Sequence, residues 1–297
     1  MDSNINNHPE LQQSRKALSR ISVRVFVFVG IILLIIAIMF AFAIVGDDLE
    51  KLEEIIILAS LGAFIPMLIW IWLKFRRWQA SITPLFNSKH FTPANLIIVV
   101  PLLLFSFSLF STLLALIAVV DTDLFHMVQE WMDTDFLVIT DDTSILMVIG
   151  IITLVGFIGP VFEEIVFRGL MVERLGLKYS FSGAVIFSSI LFGFLHINIV
   201  GAALFGFAMC LLYLKTGSLL APTIVHMLNN LTAIVIAYLS YQIDWEYTES
   251  AEFYQQYWWF SLLILTVSTV WIVRFIINHW NLVHITEPAG ADEGPMH

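Results

Sequence analysis

Eight apolar segments, most of them near the length of a membrane-spanning helix, divide this chain. A helix of roughly 20 apolar residues crosses the hydrocarbon core of a bilayer. The segments are Val25–Val45, Ile55–Leu73, Leu96–Val120, Ile145–Leu175, Ser182–Ile199, Gly201–Leu214, Ser218–Tyr238 and Tyr257–Ile277. Their apolar residues do not alternate with polar ones, as they would in the strands of a membrane barrel. We therefore predict an all-α fold, a polytopic membrane helix bundle of about eight transmembrane segments.

The composition agrees with a protein immersed in lipid. Hydrophobic residues make up 59% of the chain and charged residues 13%, and the mean hydropathy is +0.88. The net charge of −10 argues against nucleic acid as a partner. The single cysteine, Cys210, excludes an internal disulfide and a cysteine-based zinc site.

The charges of the connecting segments alternate along the chain and indicate its topology. The basic segments include Arg15, Lys16, Arg20 and Arg24 at the N-terminus, Lys74, Arg76, Arg77 and Lys89 in the second loop, and Arg174, Lys178 and Lys215 further on. The first, third and last loops are acidic. Because cytoplasmic loops are enriched in lysine and arginine, both termini are predicted to face the cytoplasm. We expect an integral multi-pass protein of a bacterial plasma membrane, with an uncleaved first span.

Two adjacent carboxylates, Glu163 and Glu164, lie inside the fourth apolar segment. Ionised groups in hydrocarbon persist mainly where they are paired, hydrated or functional. Arg168 follows Glu164 by one helical turn, so these two residues are predicted to form an ion pair. One arginine balances one charge, which leaves Glu163 to face another neighbour as a candidate general base.

Two histidines lie within later apolar segments, at depths comparable to that of the acids. At 1.5 Å per residue, Glu163, His196 and His226 lie about 12 to 21 Å from the predicted cytoplasmic helix ends. Each histidine alone is equally consistent with a core residue that bonds a helix carbonyl. Asn230, one turn after His226, is either an interhelical contact or a donor to a developing oxyanion. Together these residues indicate a site that activates water.

Two features of the apolar segments suggest irregular helices near this site. The fourth segment, of about 31 residues, is too long for one straight crossing, and a kink or break is predicted at Gly156 or Gly159-Pro160. The fifth and sixth segments are joined by very few residues around Asn198–Gly201. The sixth segment, of about 14 residues, is short for a full crossing, which predicts a recessed hairpin.

The site residues resemble the three motifs of the CPBP (CAAX protease and bacteriocin-processing) family of intramembrane endopeptidases. Glu-Glu-x-x-x-Arg is Glu163, Glu164 and Arg168; Phe-x-x-x-His is Phe192 and His196; His-x-x-x-Asn is His226 and Asn230. The motifs occur in this order on successive segments, over about 70 residues, and no motif position departs from the pattern.

The resemblance implies an eight-helix enzyme that hydrolyses peptide bonds in or near the membrane. It implies that Glu163 and His196 activate water, that Glu164 and Arg168 orient this pair, and that His226 and Asn230 stabilise the oxyanion. Glu163, His196 and His226 could instead hold a divalent metal such as zinc. A glutamate-activated water uses the same residues without a cofactor, and this reading is slightly favoured.

The predicted function is therefore an intramembrane endopeptidase acting on membrane-associated peptide or protein substrates. One alternative is an ion-coupled transporter, in which the same acids and histidines relay ions. Another is a non-catalytic peptide-binding or bacteriocin-immunity membrane protein. The predicted domains are a polar cytoplasmic segment over 1–24, a transmembrane domain over 25–285 with its catalytic core at about 145–238, and a polar tail over 286–297. Residues 1–20 and 286–297 are predicted to be disordered.

Overall fold

The computed structural model describes residues 9–46, 51–133, 139, 143–242 and 250–285. Its helices are α1 (Pro9–Arg20), α2 (Val23–Val45), α3 (Leu52–Arg77), α4 (Val99–Val120), α5 (Thr122–Asp133), α6 (residues 145–178), α7 (Phe181–Phe194), α8 (Ile199–Thr216), α9 (Leu220–Gln242), α10 (Ala251–His279) and α11 (Asn281–Ile285). Short 3₁₀ turns at Thr83–Phe86 and Pro93–Ile98 lead into α4. The described residues contain helices and no strand, which confirms the all-α prediction.

Seven helical segments among the described residues are long and apolar enough to cross a membrane. They comprise α2, α3, α4 with its leading 3₁₀ turn, α6, α8, α9 and α10. The eighth predicted segment is α7, a shorter apolar helix. This is an integral multi-pass membrane protein. The cytoplasmic location of its termini stays a prediction.

α6 occupies a central position in the bundle. It contacts α1, α3, α7, α8 and α9, while α4 packs along α10, α2 along α3, and α7 along α8. Every residue from Ile165 to Val172 of α6 is buried. Phe162 of α6 stacks on Phe64 of α3, with ring centroids 4.3 Å apart. The helix that carries both candidate acids is thus held on several sides, whereas the outer helices expose their apolar side chains.

The hairpin of α7 and α8 has its short helix in the other arm than predicted. α7 ends at Phe194 after 14 residues, and α8 extends over 18 residues, so the short arm is the fifth segment and not the sixth. Between them, Asn198 caps α8 by accepting a hydrogen bond from Gly201 N at 2.9 Å. Residues 195–198 form a turn although Leu195 and Ile197 among them are apolar, so hydropathy did not mark the end of α7.

The N-terminal segment was predicted to be disordered, and over residues 9–20 that prediction is wrong. Leu11, Ala17 and Leu18 of α1 are buried against the bundle. Arg15 forms an ion pair of 2.7 Å with Glu173 of α6. Burial lowers the pKa of Arg15, but the Glu173 carboxylate raises it, so that the net pKa lies above the ordinary value. The predicted tail over 286–297 and parts of the acidic loops lie outside the described residues.

Candidate active site

The helix α6 changes its winding on both sides of the acidic pair. It is π-helical over Ile152–Ile158 and Ile165–Val172 and α-helical over Gly159–Glu164. The helix does not break near Pro160 but continues with widened turns on both sides of Gly159–Glu164, and the predicted kink at this place stays a prediction. π-helical turns accommodate an irregularity without ending a helix and are frequent at functional sites.

The wide turn creates a place for Asn230. In π-helical bonding each N–H meets the carbonyl five residues earlier, as Gly159 N does with Leu154 O. The next residue, Pro160, has no N–H, so the carbonyl of Val155 lacks this partner. Asn230 Nδ2 donates to that carbonyl at 2.9 Å. The structure therefore gives Asn230 a positioning contact with α6, made by one of its two amide hydrogens.

Glu164 is the centre of a buried polar network. Its side chain is fully buried, and Oε1 accepts hydrogen bonds from Arg168 Nη1 at 2.9 Å and from His226 Nδ1 at 2.8 Å. The predicted ion pair with Arg168 is thus present. Arg168 also donates from Nη2 to Gly206 O at 3.2 Å, and its guanidinium lies 4.6 Å from the centre of the Phe192 ring.

The network fixes which nitrogen of His226 faces the second acid. Because the Glu164 carboxylate accepts a hydrogen bond from Nδ1, that nitrogen carries a hydrogen. The neutral ring therefore has its lone pair on Nε2. Nε2 lies 3.7 Å from Glu163 Oε2. This Glu163 oxygen is buried and has no hydrogen-bond partner among the described residues. The Glu163 side chain as a whole is 25% exposed, so it lies at the boundary between the network and an accessible surface.

His196 lies in a different place from the one expected. It follows the end of α7 in the turn before α8, rather than well inside a helix. Its Nδ1 donates to Phe192 O at 2.7 Å, and its ring lies 4.4 Å from the Phe192 ring. Within the described part of the chain no hydrogen bond or ion pair joins His196 to Glu163. The structure brings His226 to Glu163 instead, which differs from the pairing implied by the resemblance.

The three candidate metal ligands do not converge as the alternative reading required. Glu163 and His226 face each other, but no group of three His, Cys, Asp or Glu side chains among the described residues could hold a metal ion. His196 is separated from His226 by the Phe192 ring, which contacts both imidazoles. The side chains as placed therefore do not fit a zinc site with three protein ligands.

Two positions that support the network carried no motif signal. Phe205 of α8 packs edge-on against His226, with ring centroids 4.8 Å apart, and Gly206 supplies the carbonyl that Arg168 bonds. Both residues occupy an apolar helix in which one phenylalanine or glycine resembles any other. Only the packing of α8 on α6 distinguishes them.

Comparison with known proteins agrees with the motifs. Residues 145–232 match the family model described as "Type II CAAX prenyl endopeptidase Rce1-like". These residues are thus similar to that family, in agreement with the motif resemblance. The matched region begins with α6, ends within α9 and contains all six candidate site residues.

A curated protein similar to this chain is the Bacillus subtilis (strain 168) protein named "Putative membrane peptidase YdiL". The two sequences are 30% identical over 82 residues, which cover 27% of this chain and 34% of that protein. The chain thus aligns with about a third of the length of this relative. No solved structure matches the chain.

Proposed function

We propose that this protein is a membrane endopeptidase in which Glu163 and His226 activate a water molecule. The observation that carries the proposal is the 3.7 Å separation of Glu163 Oε2 and His226 Nε2. That distance is too long for a direct hydrogen bond but suits two groups that share one bound water. The family match and the relative named as a membrane peptidase support the same class of reaction.

In the proposed reaction Glu163 is the general base. It removes a proton from the shared water while the water oxygen attacks the carbonyl carbon of the peptide bond, and it then delivers that proton to the leaving amine. Glu164 holds His226 in the required tautomer and orientation by accepting the hydrogen bond from Nδ1. Arg168 fixes Glu164 in turn. No metal ion is needed for these steps.

Two further residues receive narrower roles. Asn230 holds the wide turn of α6, and its second amide hydrogen is available to a developing oxyanion. His196 Nε2 is the ring nitrogen not engaged by Phe192, and it can contact a substrate that lies against the turn between α7 and α8. The proposed substrates are membrane-associated peptides or proteins.

The test is cleavage of a pool of membrane-proximal peptides by the reconstituted protein, comparing wild type with Glu163→Gln. We expect cleavage to fall at least a hundredfold while the variant stays folded, since general base catalysis contributes roughly 10²–10⁴-fold. Glu173→Gln is the matched control, because Glu173 lies on the same helix and pairs with Arg15. It should lower stability and leave cleavage measurable.

Two outcomes would contradict the proposal. A fully active Glu163→Gln variant would exclude the assigned base. Retained peptide binding without cleavage by the wild type would favour the binding or immunity alternative. Cleavage by the wild type is also measured with a chelator. Loss of cleavage with the chelator would show that the reaction needs a metal ion, which the proposed steps do not include.

A further inference from the structure

The N-terminal helix α1 has two chemically different sides. Leu11, Ala17 and Leu18 face the bundle and are buried, whereas Lys16 and Arg20, one turn apart, are exposed. Arg24, four residues after Arg20, is also exposed and lies at the start of α2. These three exposed cations, hereafter the basic stripe, end where the first candidate membrane span begins at Val23.

The buried side of α1 is fixed firmly to α6. Arg15 donates to Glu173 Oε1 at 2.7 Å, and Tyr213 of α8 donates to the same oxygen at 2.5 Å. Leu18 packs against Gly169, where an added Cβ would come within 3.2 Å of the leucine Cδ1. Because these contacts set the orientation of α1, its two members of the basic stripe, Lys16 and Arg20, lie on the side away from the bundle, where both are exposed.

The basic stripe has no acidic partner within the part of the chain that the structure describes. Among the described residues, no carboxylate forms an ion pair with Lys16, Arg20 or Arg24. A helix with a buried apolar side and a cationic outer side, directly beside a membrane span, matches the chemistry of an anionic lipid surface. We propose that the basic stripe docks onto the headgroups of anionic phospholipids and thereby stabilises α1 on the bundle. This proposal does not depend on the peptidase activity.

The expected size of the effect follows from the number of cations. A lysine or arginine near an anionic membrane surface contributes about fivefold to binding, so three contribute roughly a hundredfold at most. The effect should weaken as salt rises, because the interactions are screened within a Debye length. Opening of α1 away from the bundle should become rarer by the same factor.

Amide hydrogen exchange of residues 9–20 in nanodiscs measures this opening directly. The full chain is compared in discs of phosphatidylglycerol and of phosphatidylcholine at low and high salt. We expect five- to a hundredfold slower exchange in the anionic discs at low salt. The triple variant Lys16→Gln, Arg20→Gln, Arg24→Gln should lose this difference, while Lys16→Arg, Arg20→Lys, Arg24→Lys should retain it.

A charge-matched control separates the basic stripe from the general charge of the protein. Lys74→Gln, Arg76→Gln, Arg77→Gln removes three cations from the end of α3 and should leave the lipid effect on α1 intact. Exchange of the α6 amides verifies that each variant is folded. Less than a twofold difference between the lipids, or a difference that survives the Gln variant of the stripe, would overturn the proposal. Slowing by inorganic phosphate in phosphatidylcholine discs would assign a free anion site instead of a lipid surface.

Discussion

Replacing Asn230 with leucine in two backgrounds tests why this asparagine lies beside α6. In the native chain its amide bonds the Val155 carbonyl at 2.9 Å, which Pro160 cannot satisfy because it has no N–H. Asn230→Leu should therefore leave the carbonyl of the half-buried Val155 without this partner. In a Pro160→Ala background, the new N–H at position 160 can bond Val155, and the same Asn230→Leu change should cost much less.

The magnitude follows from the single hydrogen bond involved. Leaving a buried acceptor unsatisfied costs about 1–3 kcal/mol, so Asn230→Leu should lower the free energy of unfolding by that amount. In the Pro160→Ala background the cost should fall to about 0.5 kcal/mol, giving an interaction energy of about 0.5–2.5 kcal/mol between the two sites. Such a loss corresponds to a lowering of the melting temperature by a few degrees.

The assay is reversible denaturant unfolding of the four proteins of this cycle in one detergent. Asn229→Leu in both backgrounds is the control, because Asn229 is a neighbouring asparagine whose described bond is a 3.3 Å contact with Asn230. Asn229→Leu should lower the free energy of unfolding by the same amount in the native and in the Pro160→Ala background. Equal costs of Asn230→Leu in the two backgrounds would refute the reasoning that a missing N–H created the role of Asn230.

Three other substitutions test buried contacts of the bundle, and a fourth serves as their control. Glu164→Gln leaves Arg168 buried beside an uncharged partner, and we expect a loss of about 3–5 kcal/mol of unfolding free energy. Arg15→Gln should also destabilise the protein and speed hydrogen exchange of the α1 amides, by removing a largely buried ion pair. Gly193→Ala places a Cβ 2.6 Å from a backbone carbonyl and should cost about 1–3 kcal/mol, measured by thermal unfolding. Gly30→Ala, whose Cβ meets only a methionine methyl at 3.6 Å, should be nearly neutral.

The hydropathy of the chain was sufficient to predict the fold class, since long apolar runs must become helices in lipid. It could not locate the end of α7, because Leu195 and Ile197 are apolar residues in an exposed turn. The local features that form this turn are the Asn198 cap and the close approach of Gly193 to α8. Neither feature has a hydropathy signature. The helix α1 was missed for a related reason, since its apolar side is too sparse to stand out among polar residues.

The candidate site shows a similar division between local and non-local information. The Glu164–Arg168 pair was predicted because the two residues lie one turn apart on one helix. The partner of Glu163 was not, because it depends on the relative position of α6, α7 and α9. Sequence spacing places His196 and His226 at overlapping depths, but only the packing of Phe192 and Phe205 shows which imidazole reaches the acid.

The two adjacent glutamates acquire different functions from a difference in their surroundings. Glu164 is paired with Arg168, its Oε1 is committed to two donors, and its side chain is fully buried, so a substrate cannot reach it. Glu163 has a buried oxygen without a hydrogen-bond partner among the described residues, yet its side chain is partly exposed. An acid that must exchange protons needs both access and an unsatisfied oxygen. Of the two glutamates only Glu163 has both access and an unsatisfied oxygen. Glu164 lacks the access and instead holds His226 in place.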